Sequence, residues 1–157
     1  MEQAKERAET LCAPGSGTVR RLVGASYAID FFDEENGDVV SPIGGVVTHI
    51  GDCGNQISIC SHSGTAVSVG VGVIRPGRQN TAEGCHFYVQ EGEAVNTGQR
   101  LMHAQLSRIR RSGGSPECVM TVDGAPGVWQ TVGDGEVRAG VTPLLRIGGG
   151  TISQKNG

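Results

Sequence analysis

The residues with the clearest chemical potential lie in and beside the segment CGNQISIC, positions 53–60. Cys53 and Cys60 bracket this segment, and His49 and His62 flank it. Thiolate and imidazole groups are common zinc ligands, and two neighbouring thiols can also form a redox pair. The segment therefore suggests three interpretations: a metal site, a redox pair, or a strand whose cysteines have no joint role.

The surrounding pattern predicts a β-hairpin that separates these groups. The runs GGVVTHI and NQISICS alternate apolar and polar residues, and a Gly-rich turn lies between them. In such a hairpin Cys53 lies at the tip and His62 beyond the far end of the second strand, more than about 20 Å away at about 3.3 Å per residue. Zinc needs ligand atoms within about 2.0–2.3 Å. We therefore predict no metal site and no cofactor, and we expect the five cysteines to be reduced.

Composition excludes several classes of function. The 157 residues fit one domain, and 13 basic against 16 acidic residues give no electrostatic basis for binding nucleic acid. No apolar run is long enough to cross a bilayer, and the start, MEQAKERAET, is charged where a signal peptide would be apolar. We expect a cytoplasmic protein without membrane insertion.

The chain pattern predicts an all-β fold, a β-sandwich or barrel-sandwich with at most short helices. Short β-branched runs recur at intervals of roughly 8–12 residues between Gly, Pro, Asp and Asn clusters, and glycine is abundant, at 26 of 157 residues. The one helical candidate in the body is QLSRIRR. We predict a charged lead-in over 1–10, a single domain over 11–147 and a disordered tail over 148–157.

Two internal similarities indicate a duplicated strand-turn-strand unit. APGSGTV at 13–19 and SPIGGVV at 41–47 both have a small residue, then Pro-x-x-Gly-x-Val. GEAV at 92–95 leads to Gly98 and Leu101, and GEV at 135–137 leads to Gly140 and Leu144. Repetition of a short unit in one chain is the mark of duplication.

Four segments, in order from about Leu11 to Ile147, carry a family resemblance: LCAPGSGTV, VVSPIGGVVTHIGDCGNQISICSHSG, VQEGEAVNTGQRLMHAQL and GEVRAGVTPLLRI. Together they resemble the glucose-family enzyme IIA domains of the bacterial phosphoenolpyruvate-dependent sugar phosphotransferase system. The resemblance implies a β-sandwich of duplicated hybrid motifs. It also implies two histidines on neighbouring strands: one passes phosphate from a phosphocarrier protein to a sugar transporter, and the other supports it by hydrogen bonding.

This sequence departs from the family pattern at its chemical centre. Asn55 and Gly70 occupy the positions of the two histidines, and an amide nitrogen is no nucleophile because its lone pair is delocalised. Gly51 and Ser68 stand where the family has aromatic residues, and the connection after the first strand shortens to LVGASYAID. The resemblance thus implies no catalytic residue, and a degenerate binding site at Asn55, Gly70, Cys53, Ser58 and Ser68.

Three functions follow from these departures. The first is a non-catalytic enzyme IIA-like protein, a binding or regulatory module that meets an unidentified protein partner through the altered face. The second is a phosphotransferase component that uses a displaced histidine, with His62 as the first candidate. The third is small-molecule binding in a depression lined by Asn55, Ser58 and Ser68.

Overall fold

The described part of the chain, residues 9–51, 56–72, 84–125, 129–131 and 134–148 of this computed structural model, contains fourteen strands and one short helix. The all-β prediction is confirmed, and the helix falls within the predicted QLSRIRR segment. The elements are β1 Glu9–Cys12, β2 Gly17–Arg21, β3 Ser26–Phe31, β4 Asn36–Val40, β5 Gly45–Ile50, β6 Gln56–Ser61, β7 Ala66–Val71, β8 Cys85–Phe87, β9 Ala94–Val95, β10 Arg100–Gln105, α1 Leu106–Arg111, β11 Cys118–Gly124, β12 Trp129–Thr131, β13 Gly135–Val137 and β14 Pro143–Ile147.

The predicted domain boundaries fall close to the ends of the described chain. β1 begins at Glu9, so the last two positions of the predicted lead-in belong to a strand. Most of the lead-in, residues 1–8, and most of the tail, residues 149–157, lie outside the described residues. Within the described ranges no helix is long and apolar enough to cross a membrane.

Three antiparallel sheets enclose one core. The largest has eight strands in the order β13-β2-β3-β11-β7-β6-β5-β9, and two three-stranded sheets have the orders β1-β14-β12 and β4-β10-β8. The core draws on all three sheets, with Ile59, Leu145 and Met102 each at most 1% exposed. Burial of such aliphatic side chains supplies the main stabilisation, about 1.5–3 kcal/mol for each fully buried one.

The chain repeats one arrangement in two halves, as the internal similarities predict. In the eight-stranded sheet β13-β2-β3-β11 mirrors β9-β5-β6-β7, and sheet β1-β14-β12 corresponds to β4-β10-β8. The Cys12 N–H donates to the Pro42 carbonyl oxygen at 2.9 Å, and the Val40 N–H donates to that of Pro14 at 2.8 Å. The two Pro-x-x-Gly segments therefore bond to each other across an approximate two-fold axis.

Glycine is required at equivalent positions of both halves. A Cβ on Gly17 would lie 2.0 Å from the Asp30 carbonyl oxygen, and one on Gly45 would lie 2.3 Å from that of Cys60. Real Cβ atoms do not approach backbone that closely. The last glycine of each Pro-x-x-Gly segment, Gly17 or Gly45, therefore allows the close pairing of β2 with β3 or of β5 with β6.

Strand alternation separates a core face from an outer face of the eight-stranded sheet. In β6 and β7, Ile57, Ile59, Val67 and Val69 are at most 1% exposed and belong to the core. Because successive side chains point to opposite faces, the residues between them form the outer face. That outer face carries the predicted site.

Candidate functional site

Three of the five predicted site residues lie on neighbouring strands of the outer face. Ser58 is on β6, and Ser68 and Gly70 are on β7. The other two, Cys53 and Asn55, lie outside the described residues. Gln56, which follows Asn55 in the chain, pairs with Gly70 in the β6–β7 register.

A hydroxyl pair and a carboxylate form the polar centre of the site. Ser58 and Ser68 are register partners, and their hydroxyl oxygens lie 3.3 Å apart. The Ser68 hydroxyl donates to Asp123 Oδ2 at 2.5 Å. Because an ionised carboxylate only accepts hydrogen bonds, the Ser68 proton is committed to Asp123, and Ser58 donates to Ser68. Ser68 is only 7% exposed, so this bond fixes its orientation.

Asp123 is a site residue that the sequence did not reveal. The alternation in CVMTVDG places Asp123 on the same face of β11 as Thr121. No local signal says that β11 pairs with β7, because the two strands are about fifty residues apart. The pairing of Thr121 with Ser68 is what brings the Asp123 carboxylate to the site.

The hydroxyl row continues across two further strands. Thr121 pairs with Ser26 of β3, and their hydroxyl oxygens lie 2.9 Å apart. The row therefore runs from Ser58 through Ser68 and Thr121 to Ser26, over β6, β7, β11 and β3. The four hydroxyl groups of the row are uncharged, and the Asp123 carboxylate, bonded to Ser68, adds one acidic group beside them.

Gly70 lies in an adjacent row of small and apolar residues. Its partners are Gln56 on one side and Val119 on the other, and Val119 pairs in turn with Ala28. The φ angle of Gly70 is not positive, so its backbone does not require glycine. A positive φ therefore does not account for the glycine at this position of β7.

An ion pair borders this row. The Arg20 guanidinium donates to Glu117 Oε2 at 2.5 Å, and Arg20 pairs in register with Ala28. Arg20 is largely exposed, and such pairs contribute about 0–1 kcal/mol to stability. Its effect is to place one balanced pair of charges at the border of the row that holds Gly70.

Gly51, which stands where the family has an aromatic residue, has room for a side chain. Its N–H donates to the Gln56 carbonyl oxygen at 2.9 Å. A Cβ built on Gly51 would have its nearest neighbour at 3.6 Å, an ordinary contact distance. The atoms described around Gly51 therefore leave room for a Cβ, and the aromatic residue that the resemblance implies there stays a prediction.

Two histidines, His49 and His62, lie near the site, the first beside Ser58 and the second in the turn before β7. His49 pairs with Ser58, so it lies on the outer face, exposed, with Nδ1 3.4 Å from Glu91 Oε2. His62 is exposed in the turn before β7, and Gly70 lies near the other end of that strand. At about 3.3 Å per residue the separation along β7 alone is about 13 Å. Among the described residues, no three His, Cys, Asp or Glu side chains are grouped to hold a metal ion.

The four described cysteines are free thiols. Burial raises the pKa of Cys12, raises that of Cys85 to about 11 and that of Cys118 to about 12. Thiols with such pKa values are protonated near neutral pH and are poor nucleophiles. They serve as small, partly or fully buried side chains.

Comparison with known proteins is consistent across sequence and structure. The family described as "phosphoenolpyruvate-dependent sugar phosphotransferase system, EIIA 1" matches residues 18–126. Two relatives are named "PTS system glucose-specific EIIA component": that of Bacillus anthracis is 30% identical and that of Bacillus cereus 28%, each over 92% of this chain and 93% of the relative. The solved glucose permease IIA from Mycoplasma capricolum aligns with a TM-score of 0.76 at 19% identity, over 89% of this chain and 96% of that one. The last likeness shows a shared fold.

Proposed function

The chain belongs to the EIIA 1 family of the phosphoenolpyruvate-dependent sugar phosphotransferase system, and from that membership we propose that it is a non-catalytic member, a cytoplasmic binding or regulatory module. The observation that carries the proposal is the pair Asn55 and Gly70 at the positions where the family resemblance expects histidines. Phosphoryl acceptance needs a nitrogen with a free lone pair near neutral pH, which imidazole supplies and neither residue does.

The surroundings of Gly70 support this proposal. Its partners on either side are an exposed amide, Gln56, and the half-buried Val119, and neither can accept a phosphoryl group. The Ser68 hydroxyl is bonded to Asp123, which makes Ser68 an orienting group in this face. The face offers hydrogen bonds and apolar contact, the features of a docking surface.

We propose that a protein partner binds this outer face, between the Arg20–Glu117 ion pair and the hydroxyl row that runs from Ser58 to Ser26. The surface carries few charges, with Asp123 at its centre and the Arg20–Glu117 pair at its border, so association gains little from electrostatic steering. Aromatic anchors dominate most interfaces, and Gly51 and Ser68 supply none. We therefore expect weak binding to the phosphocarrier that serves the family, and stronger binding to a different protein that brings its own anchors.

A displaced histidine is the second candidate function, and one observation favours a particular residue. His49 shares the outer face and the row of Ser58 and Ser68, whereas His62 lies at the turn before β7. If phosphoryl transfer persists at this face, His49 is therefore the better acceptor. Its Nδ1 faces Glu91 at 3.4 Å, which leaves Nε2 for the reaction.

Intact-mass measurement after incubation with phosphoenolpyruvate and the general phosphotransferase proteins tests the proposal. We expect no mass increase for the wild-type chain, while the Bacillus anthracis relative, as a positive control, gains one phosphoryl group. A labelled wild-type chain would overturn the proposal. Loss of that label in His49→Gln but not in His62→Gln would establish the second candidate.

Two gain-of-function variants, one double and one triple, extend the test. Asn55→His with Gly70→His supplies an imidazole at both positions, and the φ of Gly70 is not in the positive range that disfavours side chains. Gly51→Phe restores one aromatic anchor at a position with room for a Cβ. Labelling of the triple variant above that of the double variant would show that weak docking, in addition to missing chemistry, limits the natural chain.

A further inference from the structure

The outer face of the β4-β10-β8 sheet holds a cluster that the proposed function does not use. Asp38 of β4 pairs with His103 of β10, and His103 pairs with His86 of β8. The three side chains therefore form one row across three neighbouring strands. Tyr88 and Arg100 border the row, and we call these five residues the three-strand cluster.

Asp38 fixes the orientation of the central imidazole. His103 Nδ1 lies 2.9 Å from Asp38 Oδ1, and the His103 side chain is 25% exposed. Because the carboxylate accepts, the hydrogen of a neutral His103 ring resides on Nδ1 and the Nε2 lone pair is free. A histidine held in this way by a carboxylate is the arrangement that supports metal ligands, since it sets both tautomer and ring direction.

His86 is the second nitrogen donor. Side chains directly opposite on antiparallel strands have Cβ atoms about 4.5–5.5 Å apart, and His86 is exposed. Its ring packs edge-on against Tyr88, with centroids 4.9 Å apart and an interplanar angle of 74°. Each ring of the His86–His103 pair therefore has a neighbour of its own, Tyr88 for His86 and Asp38 for His103.

Arg100 is engaged elsewhere in the cluster. Its guanidinium lies 4.6 Å from the Tyr88 ring centroid and donates to the Tyr88 hydroxyl at 3.1 Å. It also approaches Asp38 Oδ1 at 3.5 Å. The one permanent cation of the cluster is thus paired with Asp38 and stacked on Tyr88, which limits its repulsion of an ion at the two imidazoles.

We propose that His86 and His103 form a two-histidine site for a borderline divalent cation of the Ni²⁺ or Zn²⁺ type, with Asp38 as the positioning residue of His103. Imidazole nitrogen suits these ions. No third protein ligand is grouped with the pair among the described residues, so water completes the coordination and the ion exchanges readily. Cys85 is adjacent to His86, but it pairs with the buried Ala104 and alternates to the opposite face.

The ion would link β8 to β10. β8 has three residues and lies at the edge of its sheet, and a ligand that binds the folded state alone stabilises it. Binding of the cation therefore holds this edge strand in register, a role independent of the Gly70 face.

The test is a Ni²⁺ titration of the full chain followed by proton NMR of the four histidine rings. We expect paramagnetic broadening of the His86 and His103 signals at concentrations that leave His49 and His62 sharp. Equal broadening of all four rings, or no broadening of the pair at millimolar Ni²⁺, would overturn the proposal.

Calorimetry with variants completes the test. His86→Gln and His103→Gln should each weaken the Ni²⁺ Kd by about tenfold or more, and Asp38→Asn by about tenfold, the effect expected of an orienting carboxylate. His49→Gln is the matched control, because His49 also faces a carboxylate, Glu91, but pairs with Ser58 instead of a histidine. An unchanged Kd in both pair variants would assign the binding to another part of the chain.

Discussion

Gly45→Ala is the substitution whose cost the structure defines most sharply. Gly45 begins β5 and pairs with Ser61 of β6, at the base of the hairpin that carries the candidate site. A Cβ there would lie 2.3 Å from the Cys60 carbonyl oxygen and 2.9 Å from the Ser61 Cα. Both neighbours are backbone atoms, so no side-chain rotation can relieve the contact.

The magnitude follows from the movement that the contact forces. An ordinary contact of about 3.4 Å or more requires the two strands to separate by about 1 Å, and overpacking of this kind costs about 1–3 kcal/mol. Replacing glycine also restricts the unfolded chain, which offsets about 0.4–1 kcal/mol. We expect a net loss of about 1–2 kcal/mol in the free energy of unfolding, or a Tm lower by about 2–8 °C for a chain of this size.

Urea unfolding followed by circular dichroism measures this loss. Gly44→Ala is the matched control, because the nearest atom to its Cβ is the Val95 carbonyl oxygen at 3.7 Å. Gly17→Ala, the equivalent change in the other half, should cost at least as much, since its Cβ would lie 2.0 Å from the Asp30 carbonyl oxygen. Ordinary surface substitutions change the free energy of unfolding by about 0.5 kcal/mol or less. If the free energies of unfolding of Gly45→Ala and Gly44→Ala differ by no more than that, the steric reasoning is refuted.

Two further predictions concern the site and the core. Ser68→Ala and Asp123→Asn should show a coupling of about 1 kcal/mol in a double-mutant cycle by urea unfolding, because their 2.5 Å bond joins a buried hydroxyl to a carboxylate; additive effects would show that the bond contributes nothing. Burial raises the pKa of Cys118 to about 12, so above pH 9 the unfolded chain loses a proton that the folded chain keeps. Ionisation of this thiol in the unfolded chain should lower the free energy of unfolding by about 1.4 kcal/mol between pH 8 and pH 10. Cys118→Ala should lack this part of the decrease. An equal decrease in the free energy of unfolding of the two proteins over this pH range would contradict the burial argument.

The fold was predictable where local alternation carries the information. GGVVTHI and NQISICS predict the hairpin that β5 and β6 form, and the repeated Pro-x-x-Gly segments predict two equivalent halves. The register irregularity between Val47 and His49 was not predictable, because one extra residue in a strand leaves the alternation of each part intact. The β7–β11 pairing that joins the halves was also beyond local patterns, since it depends on contacts between distant parts of the chain.

The same limit explains what was missed at the surface. Ser58 and Ser68 were found through the family resemblance, but Asp123 reaches Ser68 from β11. No sequence pattern connects His86 with His103. Their pairing depends on the register of β8 against β10, which no residue pattern encodes. Side chains that combine across strands become visible only when the strand order is known.

The alternation of the sheet also separates the residue at position 70 from the side chains that form the core. Val69 and Val71, on either side of Gly70, are fully buried and belong to the core, whereas Gly70 faces outward with Gln56 and Val119. A side chain at position 70 would therefore contribute little to core packing. The residue at position 70 can therefore differ without removing any side chain from the core. Retention of the scaffold is consequently no evidence for retention of phosphoryl transfer, and the residues of the outer face must be tested directly.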